Sequence, residues 1–312
     1  MSPTAPTEDT PRKRGRVVAV LLAIARRVVV IVVLTSLLLP LFVVVANSFR
    51  SRMPVRRTPG ELGFEYTDVA IQSTDGVTLA SWWIPAGKTA SARTMLVSHG
   101  VGANRDDILR FCPFLHAAGY NILAWDWRGH GQSSWARVTF GLKERHDVRA
   151  ALDWLKANHP REAGWIGALA ISMGAAIWIQ AAPLVPEVRA FVLDSPFASL
   201  RTMLPFQYRY LPEVARGPFA RLTAFYAGLV IGTGVDGVAP VAEIASISPR
   251  PLFIIHGTSD EVIPHTQSQL LDEVARQPKE VWIVPGAFHT GVREMHPEEY
   301  HRRVLAFLER AW

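Results

Sequence analysis

An apolar stretch, Ile166-Gly167-Ala168-Leu169-Ala170-Ile171, runs directly into Ser172-Met173-Gly174-Ala175-Ala176, so strand-like sequence becomes helix-like sequence with no loop between. Such a turn lifts one hydroxyl above the rim of a parallel sheet, because strand and helix meet at a single residue. That commits the chain to strands and helices alternating about a buried sheet, and it makes Ser172 a candidate nucleophile. The pattern is small-x-Ser-x-Gly rather than G-x-S-x-G, with Ala170 at the position of the first glycine. One methyl is the smallest possible intrusion between strand and helix there.

The alternation continues on both sides of this turn. Residues 66–73 and 77–84 predict two strands joined across Asp75-Gly76, a dipeptide favoured by tight hairpin turns. Further strands at 94–98, 120–125, 165–171, 190–193, 252–256 and 281–284 are separated by helices near 106–118, 143–157, after Ser172, near 266–276 and from Glu298. Strands that are apolar throughout are buried on both faces of a parallel sheet, so the fold class is α/β. Val148, Ala151, Leu152 and Leu155 fall at i, i+3, i+4 and i+7, and Val304, Phe307, Leu308 and Ala311 repeat the stripe. Both helices are thereby assigned to packing. An insertion at about 200–247 is rich in aromatics, among them Phe206, Tyr208, Phe219 and Phe225, and is interrupted by Gly232 and Gly234.

The formal net charge is +6 over 312 residues, but it is unevenly placed. Ten basic side chains between Arg12 and Arg57 meet only Glu8 and Asp9 in residues 1–57, a local +8, and the remaining 23 Lys and Arg against 25 Asp and Glu leave −2. The basic excess belongs to the N-terminal segment, which removes the argument for a nucleic-acid partner. Within that segment, residues 28–46 are 19 positions without a charge. As a helix they cover about 28 Å, close to the hydrocarbon thickness of a bilayer. A single transmembrane helix follows, in which Pro40 is tolerated. A cleaved signal peptide is the rival reading, with Val44-Val45-Ala46 as its small-residue site, but the run exceeds the roughly 7–15 apolar residues of such signals. Six basic residues precede the run and four follow it, which predicts a cytoplasmic N-terminus and an extracytoplasmic main domain. Residues 17–25 are too short to span alone and extend the helix into the interface, where Arg26 and Arg27 snorkel.

The resulting organisation is a basic segment (1–27), a transmembrane helix (28–46), a linker containing Pro54 and Pro59 (47–62) and one α/β domain (63–312). The single cysteine, Cys112, excludes an intramolecular disulfide and a thiolate metal site, and reads as a small buried hydrophobe.

A serine hydroxyl is a weak nucleophile until a base accepts its proton, and a histidine base needs a partner that fixes its tautomer. Asp260 lies on the turn after the strand at 252–256, and His289 lies on the turn after the strand at 281–284. The order Ser172, Asp260, His289 is that of one known catalytic arrangement. Oxyanion donors are also required, and the turn Ser98-His99-Gly100-Val101-Gly102-Ala103-Asn104 exposes backbone amides. The N–H groups of Val101 and Met173 are the predicted pair.

Five stretches together resemble the α/β-hydrolase family over about residues 63–312. They are His99-Gly100 with its glycine turn, Asp126-Trp127-Arg128-Gly129-His130-Gly131-Gln132-Ser133, Ser172 with its flanking turn, Asp194-Ser195-Pro196-Phe197, and the Asp260 and His289 turns. Within the family the chain looks most like membrane-anchored serine hydrolases related to monoacylglycerol lipases and to acyl-protein or lysophospholipid esterases, while serine aminopeptidase-like members share many of the motifs. The resemblance implies a mostly parallel eight-stranded sheet, an ester-type substrate and a lid formed by the insertion.

Other residues at the same sheet edge have competing roles. Ser98, Ser133, Ser195 and Ser259 lack the strand-to-helix turn and read as turn or cap residues. Asp194 ends a strand at the same edge and is the alternative to Asp260 as the acid for His289, with Asp260 in the stronger context. Asp126 and Arg128 are expected to hold the loop after their strand together by charge-assisted hydrogen bonds, and His99 and His130 to brace loops. No pair of histidines has a metal-ligand spacing supported by a third ligand, so neither a metal nor another cofactor is expected. The expected activity is a serine hydrolase acting on small-molecule carboxylic esters, lipid-derived ones included, with the membrane as a further partner through the N-terminal helix. A serine aminopeptidase is the enzymatic alternative, with Glu243 or Asp236 available to hold a substrate amine. A non-catalytic binding protein that keeps the fold is the alternative from another class.

Overall fold

The computed structural model describes residues 11–49, 52–87 and 91–312. Residues 1–10 of the basic segment, the side chains of Arg12, Lys13 and Arg14, and Arg50 and Ser51 of the linker lie outside the described part. The uncharged run belongs to one 38-residue helix, α1 (Pro11–Ser48), which passes through Arg26, Arg27 and Pro40. Most of α1 is exposed; Pro40, Val44 and Ser48, spaced one turn apart, are buried against the rest of the chain. The segment after α1 is fastened rather than loose. Val138 N–H donates to Ser48 O at 2.9 Å, the Arg52 guanidinium to Ser133 O at 2.8 Å, the Asn104 amide to Met53 O at 3.2 Å, and Arg56 N–H to the Asp106 carboxylate at 2.8 Å.

The strands are β1 (Thr67–Gln72), β2 (Thr78–Ile84), β3 (Arg93–Ser98), β4 (Asn121–Trp125), β5 (Trp165–Ile171), β6 (Val188–Asp194), β7 (Leu252–Gly257) and β8 (Lys279–Val284). They form an eight-stranded sheet in the order β1-β2-β4-β3-β5-β6-β7-β8. Pairing is antiparallel for β1 with β2 and β2 with β4, and parallel from β4 to β8. The first turn is longer than a two-residue hairpin loop: Ser73 N–H donates to Val77 O at 2.8 Å and Gly76 takes φ 82°. After α1, the helices are α2 (Cys112–Ala117), α3 (Glu144–Asn158), α4 (Met173–Ala181), α5 (Leu200–Gln207), α6 (Glu213–Ile231), α7 (Pro240–Glu243), α8 (Thr266–Val274), α9 (Val292–Met295) and α10 (Pro297–Arg310).

Every residue of β5 is buried, and its side chains feed two cores by simple alternation. Ile166, Ala168 and Ala170 pack with Trp125, Trp178 and the α3 stripe; Leu169 and Ile171 pack with Tyr300, Val304 and Phe307 of α10. Val148, Ala151, Leu152 and Leu155 are fully buried, as the stripe predicts. Cys112 is buried too, and burial pushes its thiol up to about 12, which leaves it inert at neutral pH. The helix expected near 106–118 is instead a 3-10 turn (Asp107–Arg110) followed by the short α2.

Asp126 and Arg128 do not pair with each other; each fastens the loop after β4 to a different element. Asp126 accepts from the Arg105 guanidinium and, at 2.6 and 2.8 Å, from the amides of Arg105 and Gln132. Arg128 lies between Asp147 of α3, at 2.8 Å through Nε, and Asp75 of the hairpin turn, at 2.7 Å. Removing one member of a buried pair strands the other charge. Arg128→Met is therefore expected to cost about 3–5 kcal/mol of folding stability, measured as the shift of a thermal or denaturant transition, and adding Asp147→Leu is expected to recover at least half of that cost. A double variant no more stable than the single one would disprove this account of the loop.

Candidate active site

Ser172 stands where β5 meets α4, with φ 53° and ψ −122°. Its N–H donates to Asp194 O of β6 at 2.8 Å. Two close approaches favour glycine here. A Cβ on Gly174 would lie 2.6 Å from His99 O, and one on Gly100 would lie 3.0 Å from the Ser172 Cβ. The chain can therefore bring the loop after β3 directly against the serine.

The loops after β7 and β8 supply the next two groups. The Ser172 hydroxyl donates to His289 Nε2 at 2.9 Å, and His289 Nδ1–H donates to Asp260 Oδ2 at 2.6 Å. The remaining oxygen, Oδ1, accepts from the amides of Val262 and Ile263, both at 2.8 Å. A second histidine also reaches this carboxylate: His256 Nε2–H lies 3.1 Å from Asp260 Oδ2 and 2.9 Å from Ile263 O, while its Nδ1 accepts from the Ser268 hydroxyl at 2.7 Å. Burial pushes the Asp260 carboxyl up, but hydrogen bonds from His256 and His289 outweigh it and hold the group well below the usual carboxylate range. The sequence reading leaves His256 in a strand. The available signal is its place four residues before Asp260, across the turn that closes β7.

The loop after β3 is braced by the two histidines expected to brace loops. Burial lowers His99 to about 4, so it is neutral; Nδ1–H donates to Gly100 O at 2.7 Å and Nε2 accepts from Trp127 N–H at 3.1 Å. His130 Nε2 accepts the Gly102 amide at 3.1 Å. That bond occupies Gly102, whereas Val101 and Met173 line the cavity beside Ser172 and neither N–H donates to another described residue. The Met173 amide is also in the first turn of α4, where no intrahelical acceptor exists.

Three of the other serines have hydrogen-bond partners of their own. The Ser98 hydroxyl accepts from Trp178 Nε1 at 2.7 Å, that of Ser133 donates to Asp126 O at 2.6 Å, and that of Ser195 donates to Asp194 Oδ1 at 2.9 Å. Asp194 is buried at the end of β6 and makes no hydrogen bond to His289 among the described residues. Asp236 is an exposed partner of Arg201, and neither it nor Glu243 lines the cavity.

The cavity at Ser172 measures about 270 Å³ and has no charged side chain in its wall. The insertion contributes Leu200, Met203, Leu204, Ala227 and Ile231. Its aromatics do not line the space; Tyr208 bonds Thr223 at 2.5 Å and packs on Phe219, tying α5 to α6. Four wall residues, Val43, Val44, Asn47 and Ser48, come from α1.

Residues 89–235 match the family described as serine aminopeptidase, S33. An uncharacterized protein of Mycobacterium tuberculosis, Rv2307c, is 31% identical over 71% of this chain and 72% of its own. The Arabidopsis thaliana alpha/beta hydrolase domain-containing protein WAV2 is 25% identical over 86% of each chain. Among solved structures, the esterase Pf2001 of Pyrococcus furiosus superposes with a TM-score of 0.69 at 31% identity, covering 83% of this chain and 98% of that one. The chain belongs to the α/β-hydrolase family. Its esterase-like fold and family place it among hydrolases.

In this hydrolase the Ala170 methyl is fully buried and packs in the core that contains Trp178, so the departure from glycine is absorbed on the side of the sheet away from α10. Ala170→Gly is expected to lower stability by about 0.5–1 kcal/mol through added chain entropy, and to change turnover of any Ser172-dependent substrate by less than about threefold. A large gain in turnover would show instead that the methyl strains the turn.

Burial raises Asp194 to about 6, partly offset by the Ser195 hydroxyl. The stabilisation linked to its proton is complete below its ordinary 3.8 and is lost as pH rises through about 6. Asp194→Asn removes that loss. It should raise the thermal transition at pH 8, by an amount equivalent to about 2–3 kcal/mol, and the advantage should shrink as the pH falls from about 6 to 4. A gain independent of pH would mean that the ionised carboxylate is not the cause.

Proposed function

We propose that the protein is a membrane-anchored serine esterase that works through a covalent acyl-enzyme. The observation that carries this reading is the hydrogen-bonded run Ser172–His289–Asp260, at 2.9 and 2.6 Å, opening on an uncharged cavity. Ser172 Oγ attacks the ester carbonyl while its proton passes to His289 Nε2. The amides of Val101 and Met173 receive the oxyanion. Collapse of the tetrahedral intermediate breaks the carbon–oxygen bond, and His289 returns the proton to the departing alcohol. Water then attacks the acyl-enzyme with His289 as base, releasing the carboxylic acid and restoring the Ser172 hydroxyl. Asp260 holds the imidazole in one tautomer and stabilises its cationic form.

The aminopeptidase reading draws on the description of the matching family. An aminopeptidase must hold a protonated amine next to the scissile bond, and the cavity wall has no carboxylate to pair with it. An apolar acyl group fits the same wall without an uncompensated charge. The insertion, as α5 and α6, is the lid over that acyl group in this proposal.

For α1 we favour an uncleaved anchor. Cleavage after Ala46 would cut inside the helix and remove Val43 and Val44 from the wall. The charge bias on either side of the helix supports an N-terminus in the cytoplasm and the hydrolase on the other side of the membrane.

Labelling with a fluorophosphonate probe tests the nucleophile. The wild type should label, Ser172→Ala should not, and Asp260→Asn should label at least about a hundredfold more slowly, since it leaves the serine in place but removes the orienting charge. Labelling that persists in Ser172→Ala would sink the proposal, and a preference for aminoacyl amides over p-nitrophenyl esters would replace the esterase by a peptidase.

A further inference from the structure

α1 is both the only helix among the described residues that is long and apolar enough to span a membrane by itself and part of the wall around Ser172. Together these two facts set the depth of the cavity. The uncharged run starts after Arg27, and its 19 residues to Ala46 cover about 28 Å, so a hydrocarbon core of about 30 Å uses all of them. If the membrane ended before Pro40, the first residue buried against the domain, only about 18 Å of uncharged helix would remain inside it. Sliding the helix the other way would draw Arg26 and Arg27 into hydrocarbon, where each arginine is strongly disfavoured. The stretch that packs on the hydrolase, Pro40 to Val44, therefore lies within the leaflet on the domain side.

Whatever packs on that stretch shares its depth, and α6 is built for it. Val44 packs with Ala227, Ile231 and Val235, so the contact uses the second half of α6. From Leu222 to Ile231 that half carries no charge, while Glu213, Arg216 and Arg221 are confined to the first half. Its outward side exposes Phe225 (59%) and Leu229 (67%), side chains that water would not favour together. The connection between α1 and the domain is fastened through Ser48, Arg52 and Asn104, so the depth of α1 is transmitted to the lid.

We infer that the second half of α6 lies in the bilayer beside α1 and that the Ser172 cavity opens sideways into the leaflet, taking single-chain acyl esters directly from the membrane. The inference rests on the esterase reading for its chemistry but not for its geometry. A volume near 270 Å³ is at the small end for ligand pockets and suits one acyl chain rather than two. The apolar wall takes the chain, Ser172 faces the ester carbonyl, and the head group stays toward water.

Two measurements on the full chain in phosphatidylcholine vesicles test this. Because Cys112 is buried, an environment-sensitive nitrobenzoxadiazole label can be attached at Leu229→Cys, at Phe42→Cys as the hydrocarbon reference and at Glu273→Cys as the aqueous one. Nitroxide-bearing lipids should quench the label at 229 at least about half as strongly as at 42, with little effect at 273. Quenching at 229 no greater than at 273 would overturn the inference. The second measurement uses Val44→Trp, which fills the cavity from the α1 side. The ratio of kcat/KM for p-nitrophenyl palmitate to that for the butyrate should fall at least about tenfold. An unchanged ratio would remove α1 from the acyl site. If the wild type hydrolyses neither ester, the esterase reading falls, and the quenching at 229 still decides whether the second half of α6 lies in the bilayer.

Discussion

Ser172 sits at φ 53° and ψ −122°, a sparsely populated region for a residue with a side chain. Holding it there costs about 1–3 kcal/mol, and its neighbours supply the restraint. On one side its N–H is tied to Asp194 O; on the other, the loop after β3 presses against it because Gly100 and Gly174 present no Cβ. Both contacts exist because β5 lies between β3 and β6 with parallel pairing, so that the ends of three neighbouring strands share one edge. The same topology carries the loops of Asp260 and His289 to that edge, since β7 and β8 follow β6 in order. The position of one serine backbone thus requires a whole sheet, with Trp125 and Trp178 buried on one face and Phe307 on the other.

Asp194 ends β6 and Asp260 lies on the turn after the neighbouring β7; both are buried, and their acidities move in opposite directions. Burial disfavours the charged form of each. The difference lies in the donors: Asp260 receives two loop amides and two histidines, whereas Asp194 has the single hydroxyl of Ser195. A carboxylate supplied in this way keeps its charge inside the protein and is available to orient a histidine. On the proposed mechanism this is the physical reason for Asp260, rather than Asp194, as the orienting acid. It also gives His256 a function, since its bond from beneath leaves Oδ2 fixed for His289.

Much of this was legible in the residue order because strands buried on both faces write themselves as unbroken apolar runs, and because each proposed catalytic group follows such a run on a turn. Features that depend on tertiary partners were not legible. The 106–118 segment has a helical composition, but Pro113, near the first turn of α2, favours a new start and splits it. Arg128 reads as a residue that holds its loop by charge-assisted hydrogen bonds, but which partners it uses is not written locally: Asp75 and Asp147 lie in a hairpin and a helix brought near only by the fold. The aromatics of the insertion suggest a cavity lining. Tyr208 and Phe219 instead tie α5 to α6, while aliphatic residues of the insertion line the cavity at Ser172.

The role of α1 was hidden for a more general reason. Periodicity reveals a packed face only when polar residues mark the opposite one, and a run that is apolar all round gives no such contrast. Pro40, Val44 and Ser48 recur at four-residue intervals, but so do exposed apolar residues of the same helix. What distinguishes them is α6, whose uncharged half is almost 200 residues away in the sequence. Two segments that each look suited to lipid or to a core have found each other, and the space between them adjoins the serine. On the proposed reading, anchor and acyl site share one wall, so the position of the helix in the bilayer sets how much of a substrate chain must leave the membrane before its ester meets Ser172.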